Sequence, residues 1–149
     1  FPISPVGEVP LYDYTIPFGK AKIRKKGKDV TILGKLRSVY TALEASKTLE
    51  QRNISCEVID PRTIVPFDSK LLFNSVKRTG RLVIVDECTK TGGWAGEISA
   101  LVQENIFEYL KKPVVRVTAP DTPVPFAPKL ENFFIPQAKD VVKEVLKLF

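Results

Sequence analysis

Two neighbouring carboxylates (Asp86 and Glu87), an arginine just past an apolar run (Arg62), and the glycine turn Thr91-Gly-Gly-Trp-Ala-Gly96 are where this 149-residue chain could gather chemistry. Paired carboxylates serve acid–base work when they share a proton. Neighbours on a strand point to opposite faces, so Asp86 and Glu87 form no such dyad. One of them facing a crevice is read as half of a structural ion pair with Arg62 or Lys90. The planar fork of Arg62 suits a carboxylate or phosphate, whether from a partner or from its own chain. A glycine turn that opens a helix offers free amides to an anion. This one lacks the lysine of a P-loop and the G-x-G-x-x-G spacing, so it reads as a tight turn that lets helix and sheet approach closely. The run Asp121-Thr-Pro-Val-Pro-Phe126 reads as a surface crossing that offers Phe126 as an anchor. Trp94, the only tryptophan, suits a core or an interface equally.

Composition removes whole classes of mechanism. The chain has no histidine, which excludes Ser-His-Asp and Cys-His nucleophile pairs and His-ligated metals within it. Cys56 and Cys88 form no C-x-x-C and read as free thiols of a reducing compartment. At 44% hydrophobic and 27% charged the chain can build one packed core, and it holds no apolar run approaching the roughly 20 residues of a membrane span, so a soluble domain is expected. It has no methionine and opens on Phe1-Pro-Ile-Ser-Pro5, which reads as a start in mid-protein rather than as a signal sequence. Net charge is +6, and six basic residues fall between Lys20 and Lys28. Single-strand nucleic-acid binders set aromatic platforms beside such charge, and this run has none. Ala21 and Ile23 alternate with Lys20, Lys22 and Arg24 instead, the pattern of an edge strand guarded by lysine.

Residues 1–19, rich in proline and aromatics without a period, read as an extended arm, and residues 20–149 as the domain. After the edge strand, 30–33 reads as a buried strand, followed by a helix from Ser38 to near Asn53 and a strand at 56–59. Asp68 is expected to cap a helix over 69–79 that ends at Gly80. Next come a strand at 82–85, a helix carrying Ile98 to Leu110 and ending by Pro113, and a strand at 114–117. A proline-rich crossing over 120–136 leads to a last helix that turns Val141, Val142, Val145 and Leu148 inward. Strands alternating with helices imply a three-layer α/β/α fold on a mostly parallel five-stranded sheet with one antiparallel edge strand. In such sheets ligands collect beyond the carboxyl ends of the strands, here 35–38, 60–63, 86–93 and 118–122.

Four runs occur in order: Asp60-Pro-Arg-Thr-Ile-Val-Pro-Phe-Asp68, Gly80-Arg-Leu-Val-Ile-Val-Asp-Glu87, Thr91-Gly-Gly-Trp-Ala-Gly-Glu97 and Ala119-Pro-Asp-Thr-Pro-Val-Pro-Phe126. Together they resemble the C-terminal, transketolase-type domain of the beta subunit of thiamine-diphosphate-dependent 2-oxo acid dehydrogenases, the first component of pyruvate, branched-chain or acetoin dehydrogenase complexes. The resemblance implies oxidative decarboxylation of a 2-oxo acid, pyruvate favoured, with acyl transfer to lipoamide. It further implies that thiamine diphosphate and magnesium sit in the assembled enzyme and not in this domain, so no catalytic, cofactor-binding or metal residue maps here. The implied partners are the alpha subunit, a second beta subunit and the subunit-binding domain of the lipoyl-bearing acyltransferase, with neither nucleic acid nor membrane. The implied location is the cytoplasm of a prokaryote or the organelle matrix of a eukaryote. Arg62, Asp68, Trp94, Glu97 and Phe126 are the expected loop-ordering or interface residues, and the Phe149 carboxylate reads either as a docking contact or as a simple helix end. Many relatives carry histidine in place of Asp86 and an acidic residue in place of Lys111-Lys112. Lysines there weaken attraction to a basic docking module. The alternatives are a free-standing nucleotide or RNA module and the C-terminal domain of another transketolase-group enzyme.

Overall fold

The computed structural model describes residues 8 and 10–149. The expected arm thus lies partly outside the described residues, at 1–7 and 9, and residues 11–18 are exposed without regular structure. Five strands, β1 (Lys22–Lys25), β2 (Val30–Gly34), β3 (Cys56–Asp60), β4 (Leu82–Thr89) and β5 (Val115–Ala119), form one sheet in the order β1-β3-β2-β4-β5. Only β1 runs antiparallel, against β3, and the other pairs are parallel. The sheet is the expected one. Its edge is guarded as the alternation implied, with Arg24 bridging to Asp60 and Lys25 to Glu50.

Alternation along the buried strands sends successive side chains into two cores. Val30, Ile32, Val58, Val83 and Val85 face α1 (Arg37–Glu50) and α5 (Ala138–Leu146), meeting Ala42, Leu49, Val141 and Val145. Leu33, Ile59, Leu82 and Ile84 face α2 (Ser69–Thr79) and α3 (Trp94–Ile106), meeting Leu72, Val76, Ile98 and Val102. Each fully buried side chain of this kind is worth about 1.5–3 kcal/mol, so the two faces together hold the layers on the sheet. A buried hydroxyl trio adds direction to one of them. Thr31 Oγ1 lies 2.7 Å from Ser75 Oγ and 2.8 Å from Thr79 Oγ1, which fixes the rotation of α2 over β2.

Several element ends differ from expectation, β5 for one running over Val115–Ala119 rather than 114–117, and three differences matter most. β4 continues past Val85 to Thr89, because the buried Asp86 finds partners that let a charged residue stay in the strand. α3 stops at Ile106 and gives way to a 3-10 turn over Phe107–Tyr109, although Leu110 still packs on the α2–α3 core. The crossing over 120–136 contains a helix, α4 (Pro128–Phe134). Pro128 stands in its first turn, where a missing N–H costs nothing, and Phe134 packs with Ala119 and Ile135. No helix among the described residues is long and apolar enough to cross a membrane.

Candidate functional site

The carboxyl ends of β2, β3, β4 and β5 share one rim of the sheet, and the groups singled out from the sequence fall largely along it. Register decides which of them meet. Gly34 pairs with Val85, so the next residues, Lys35 and Asp86, stand side by side. Lys35 Nζ lies 3.0 Å from Asp86 Oδ1, and the carboxylate is wholly buried. The partner expected for this carboxylate was Arg62 or Lys90; the partner is Lys35, because β2 is the strand inserted beside β4.

Asp86 is satisfied on every side. Its Oδ1 also accepts the Cys88 N–H at 3.1 Å, and its Oδ2 accepts the Ala95 N–H in the first turn of α3 at 3.1 Å. Burial pushes its pKa up, yet the Cys88 amide, the Lys35 ammonium and the Ala95 amide outweigh burial and hold the carboxyl below its ordinary value. Burial likewise lowers the Lys35 pKa, and Asp86 and then Cys88 more than reverse it, so the ammonium titrates above its usual range. Glu87 is the opposite case. Its Oε1 is buried without a hydrogen-bond partner among the described residues, and burial raises its pKa against the lowering charges of Arg37 and Lys35. The two adjacent carboxyls therefore differ in environment as strand neighbours must.

The glycine turn is the tight connection that the sequence implied. Gly92 has φ +71°, and a side chain at Gly93 would place Cβ 2.3 Å from the Thr89 carbonyl oxygen. Two amides at the α3 start are already taken, Ala95 by Asp86 and Gly96 by the Gly93 carbonyl. A carboxylate seated there repels a phosphate, so the turn does not fit a diphosphate. No cluster of three His, Cys, Asp or Glu side chains suited to a metal occurs among the described residues. The glycine turn thus does not fit the diphosphate of thiamine diphosphate.

Trp94 opens α3 with its ring edge-on to Phe67 at 6.0 Å, and Lys35 Nζ lies 5.9 Å from the indole centroid. It is half-buried, between the core and interface roles the sequence left open. Asp68 caps α2 as expected: Oδ1 accepts the Leu71 N–H at 3.1 Å, and Oδ2 accepts the Ala21 N–H at 3.1 Å, tying the helix start to the chain entering β1. Arg62 adopts φ +59° at the end of β3, its N–H donating to Asp60 Oδ1 at 3.0 Å and its side chain exposed. Glu97 is exposed in the first turn of α3, where a negative charge favours the helix dipole. Asp121 reaches across the rim, accepting the Thr91 N–H at 2.9 Å and the Thr91 hydroxyl at 2.7 Å, which locks the β5 loop onto the glycine turn. These two bonds hold the Asp121 carboxyl below its ordinary value.

Phe126 and Phe149 stand apart from this cluster. Phe126 is fully exposed ahead of α4, and exposed Phe133 stands on α4 itself. Phe149 lies at the opposite end of the sheet, its ring 4.2 Å from the Arg81 guanidinium carbon. Sequence reasoning missed Lys35 as a named partner and the Thr91–Asp121 clamp. Its only signal for them was their place just beyond strand ends. Both cysteines are free: Cys56 is buried, which pushes its thiol up to about 12, and Cys88 is exposed.

Residues 19–141 match the family model described as "Transketolase, C-terminal domain". The chain is 45% identical over 142 residues to the acetoin:2,6-dichlorophenolindophenol oxidoreductase subunit beta of Bacillus subtilis, covering 95% of this chain and 42% of that protein. It is 50% identical over 134 residues to the mitochondrial 2-oxoisovalerate dehydrogenase subunit beta of Dictyostelium discoideum, covering 89% of this chain and 36% of that protein. The mitochondrial pyruvate dehydrogenase E1 component subunit beta of the same organism is 44% identical, covering 87% and 36%. The chain therefore spans well under half the length of these relatives. Among solved structures, a split-gene transketolase in an inactive beta4 tetramer superposes with TM-score 0.80 at 33% identity, over 96% of this chain and 45% of that one.

Proposed function

The chain belongs to the transketolase C-terminal domain family, and we propose that it serves as the assembly and partner-docking domain of the beta subunit of a thiamine-diphosphate-dependent 2-oxo acid dehydrogenase. The observation that carries this reading is the 44% and 50% identity to dehydrogenase subunits named beta. The whole enzyme would decarboxylate a 2-oxo acid, pyruvate favoured, and pass the acyl unit to lipoamide, with thiamine diphosphate and magnesium held outside this domain. The rim supports that division of labour. Asp68, Asp86 and Asp121 each hold at least one backbone amide, Asp86 adding the Lys35 ammonium and Asp121 the Thr91 hydroxyl, which suits holding loops rather than moving protons.

In this reading the arm over 1–19 connects the domain to an upstream half. Arg62, Asp68, Trp94 and Glu97 order the loops beside the cofactor cleft, while Phe126 and Phe149 face other chains: the alpha subunit, the second beta subunit and the acyltransferase. A second reading, another transketolase-group enzyme, draws on the likeness to the split-gene transketolase, and its lower identity of 33% ranks it below. The enzyme containing this chain should release carbon dioxide from a 2-oxo acid only with thiamine diphosphate added and should acylate lipoamide. Ketol transfer between sugar phosphates without decarboxylation would favour the second reading.

A further inference from the structure

An open cleft of about 520 Å³ lies between the carboxyl half of β5 and the junction of α4 with α5. β5 is the last strand of the sheet, so its outer side meets no further strand, and its residues from Arg116 onward line the cleft. The far wall is apolar and made by Phe133 and Pro136. It is also held firmly. Phe134 packs with Ala119 and Ile135 behind it, and Gln137 Nε2 donates to the carbonyls of Asn132 at 3.1 Å and Ile135 at 2.8 Å. Small-molecule sites occupy about 300–1,000 Å³, and a preformed wall is one of their marks.

Charged side chains of both signs line the cleft, and only one sign is already served. Thr91 gives Asp121 its N–H and hydroxyl, Gln137 gives Asp140 its N–H at 3.0 Å, and Lys147 pairs with Glu144. The cations have no such partners. Lys90, Arg116 and Lys143 take part in none of the ion pairs among the described residues. Arg116 Nη1 donates to the Lys90 carbonyl at 3.2 Å, which leaves the rest of its planar fork open. The Thr91 N–H and hydroxyl hold the Asp121 carboxyl low, with the Lys90 amide and charge adding less. Charges of the two signs balance in the walls, so the cleft accepts a single negative charge and repels a polyphosphate.

We infer that this cleft binds a small monocarboxylate with an apolar body, its carboxylate held by the Arg116 fork together with Lys90 and Lys143, and its body laid on Phe133 and Pro136. A guanidinium takes a carboxylate through two parallel N–H donors, which sets the orientation of the ligand. The apolar wall then rewards a body that can be taken out of water, so a bare anion gains little here. The inference rests on the cleft alone and stands independently of the dehydrogenase reading, which turnover tests separately.

The test is an amide-resolved NMR titration of the full chain with hydrocinnamate, set against its neutral amide, acetate and tripolyphosphate. Hydrocinnamate should shift the amides of Arg116, Ala119 and Lys143 saturably, while the neutral amide and acetate bind roughly tenfold more weakly or worse. Arg116→Gln should weaken hydrocinnamate by roughly tenfold or more, and Lys143→Gln and Phe133→Ala several-fold each. Lys143 and Phe133 are both exposed, so their variants decide the matter even where Arg116→Gln disturbs the strand. The spectrum of each variant reports whether the fold is kept. The proposal is overturned if no saturable shift appears at the cleft, if the neutral amide binds as tightly as the acid, or if neither Lys143→Gln nor Phe133→Ala weakens binding. Tripolyphosphate binding more tightly than hydrocinnamate would mark a polyanion patch instead and also overturns it.

Discussion

At the residue scale, the Lys35–Asp86 pair shows what the rim is built to do. Asp86 is buried with both oxygens engaged, so removing Lys35 leaves a buried charge short of its counter-ion. Lys35→Met should cost about 3 kcal/mol of unfolding free energy in urea titration. The pH dependence follows from the directions. The Asp86 pKa is depressed below the ordinary value of 3.8, so its contribution is complete above that pH and is lost as pH falls through the lower folded value. The Lys35 pKa is raised above 10.5, so its contribution is present below that pH and is lost as pH rises through the folded value. Glu87 works the other way. Its folded pKa is raised above 4.5, so stability falls as pH rises through the window above 4.5 and the buried carboxyl is forced to ionise. Glu87→Gln should therefore raise the melting temperature at pH 7 and change it little at pH 4. An equal gain at both pH values would show that charge is not the cause. The residues of this pair were visible in the sequence as a lysine and an aspartate beyond strand ends. Their meeting was not, because it depends on β2 lying next to β4 in parallel register, a long-range choice that local pattern does not encode.

At the element scale, caps and periodicity carried most of what the sequence could tell. Asp68 and Gly80 bound α2 as their types require, the aspartate accepting the Leu71 N–H and the glycine taking the left-handed conformation. Asp68 does more than cap, since its second oxygen holds the Ala21 amide before β1. Asp68→Ala should cost about 1–2 kcal/mol, and hydrogen exchange should quicken at both the Leu71 and Ala21 amides. Faster exchange at Leu71 alone would reduce Asp68 to a simple cap. The elements that escaped the sequence reading did so for physical reasons. α4 is short and begins with proline, and its buried side is little more than Phe134, so it leaves no helical stripe to read. The tail of β4 is polar, and only tertiary partners keep Asp86 in the strand. The early end of α3 is the converse, since Leu110 keeps the helical spacing and packs inward from a 3-10 turn.

At the scale of the whole molecule, the carboxyl end of the sheet is where the charged loop contacts gather. The carboxyl rim spends its charges on holding loops, while Phe126 and Phe133 project from the crossing and α4 into solvent. Large exposed aromatics beside rigid loops are what an assembly surface needs, and they supply most of the energy of such contacts. Family membership was legible from four ordered runs and the sheet from the alternation of strands and helices, whereas the substrate was not: relatives named for acetoin, 2-oxoisovalerate and pyruvate match at similar identity. The most direct test of the account is the sedimentation of the enzyme containing this chain, wild type against Phe126→Ala and Trp94→Ala, read together with carbon dioxide release from a 2-oxo acid. The account predicts that the variants sediment as smaller species and lose turnover in proportion, regaining it at high protein concentration. Full-sized assemblies that have lost turnover would contradict it, because the domain would then act in the chemistry itself.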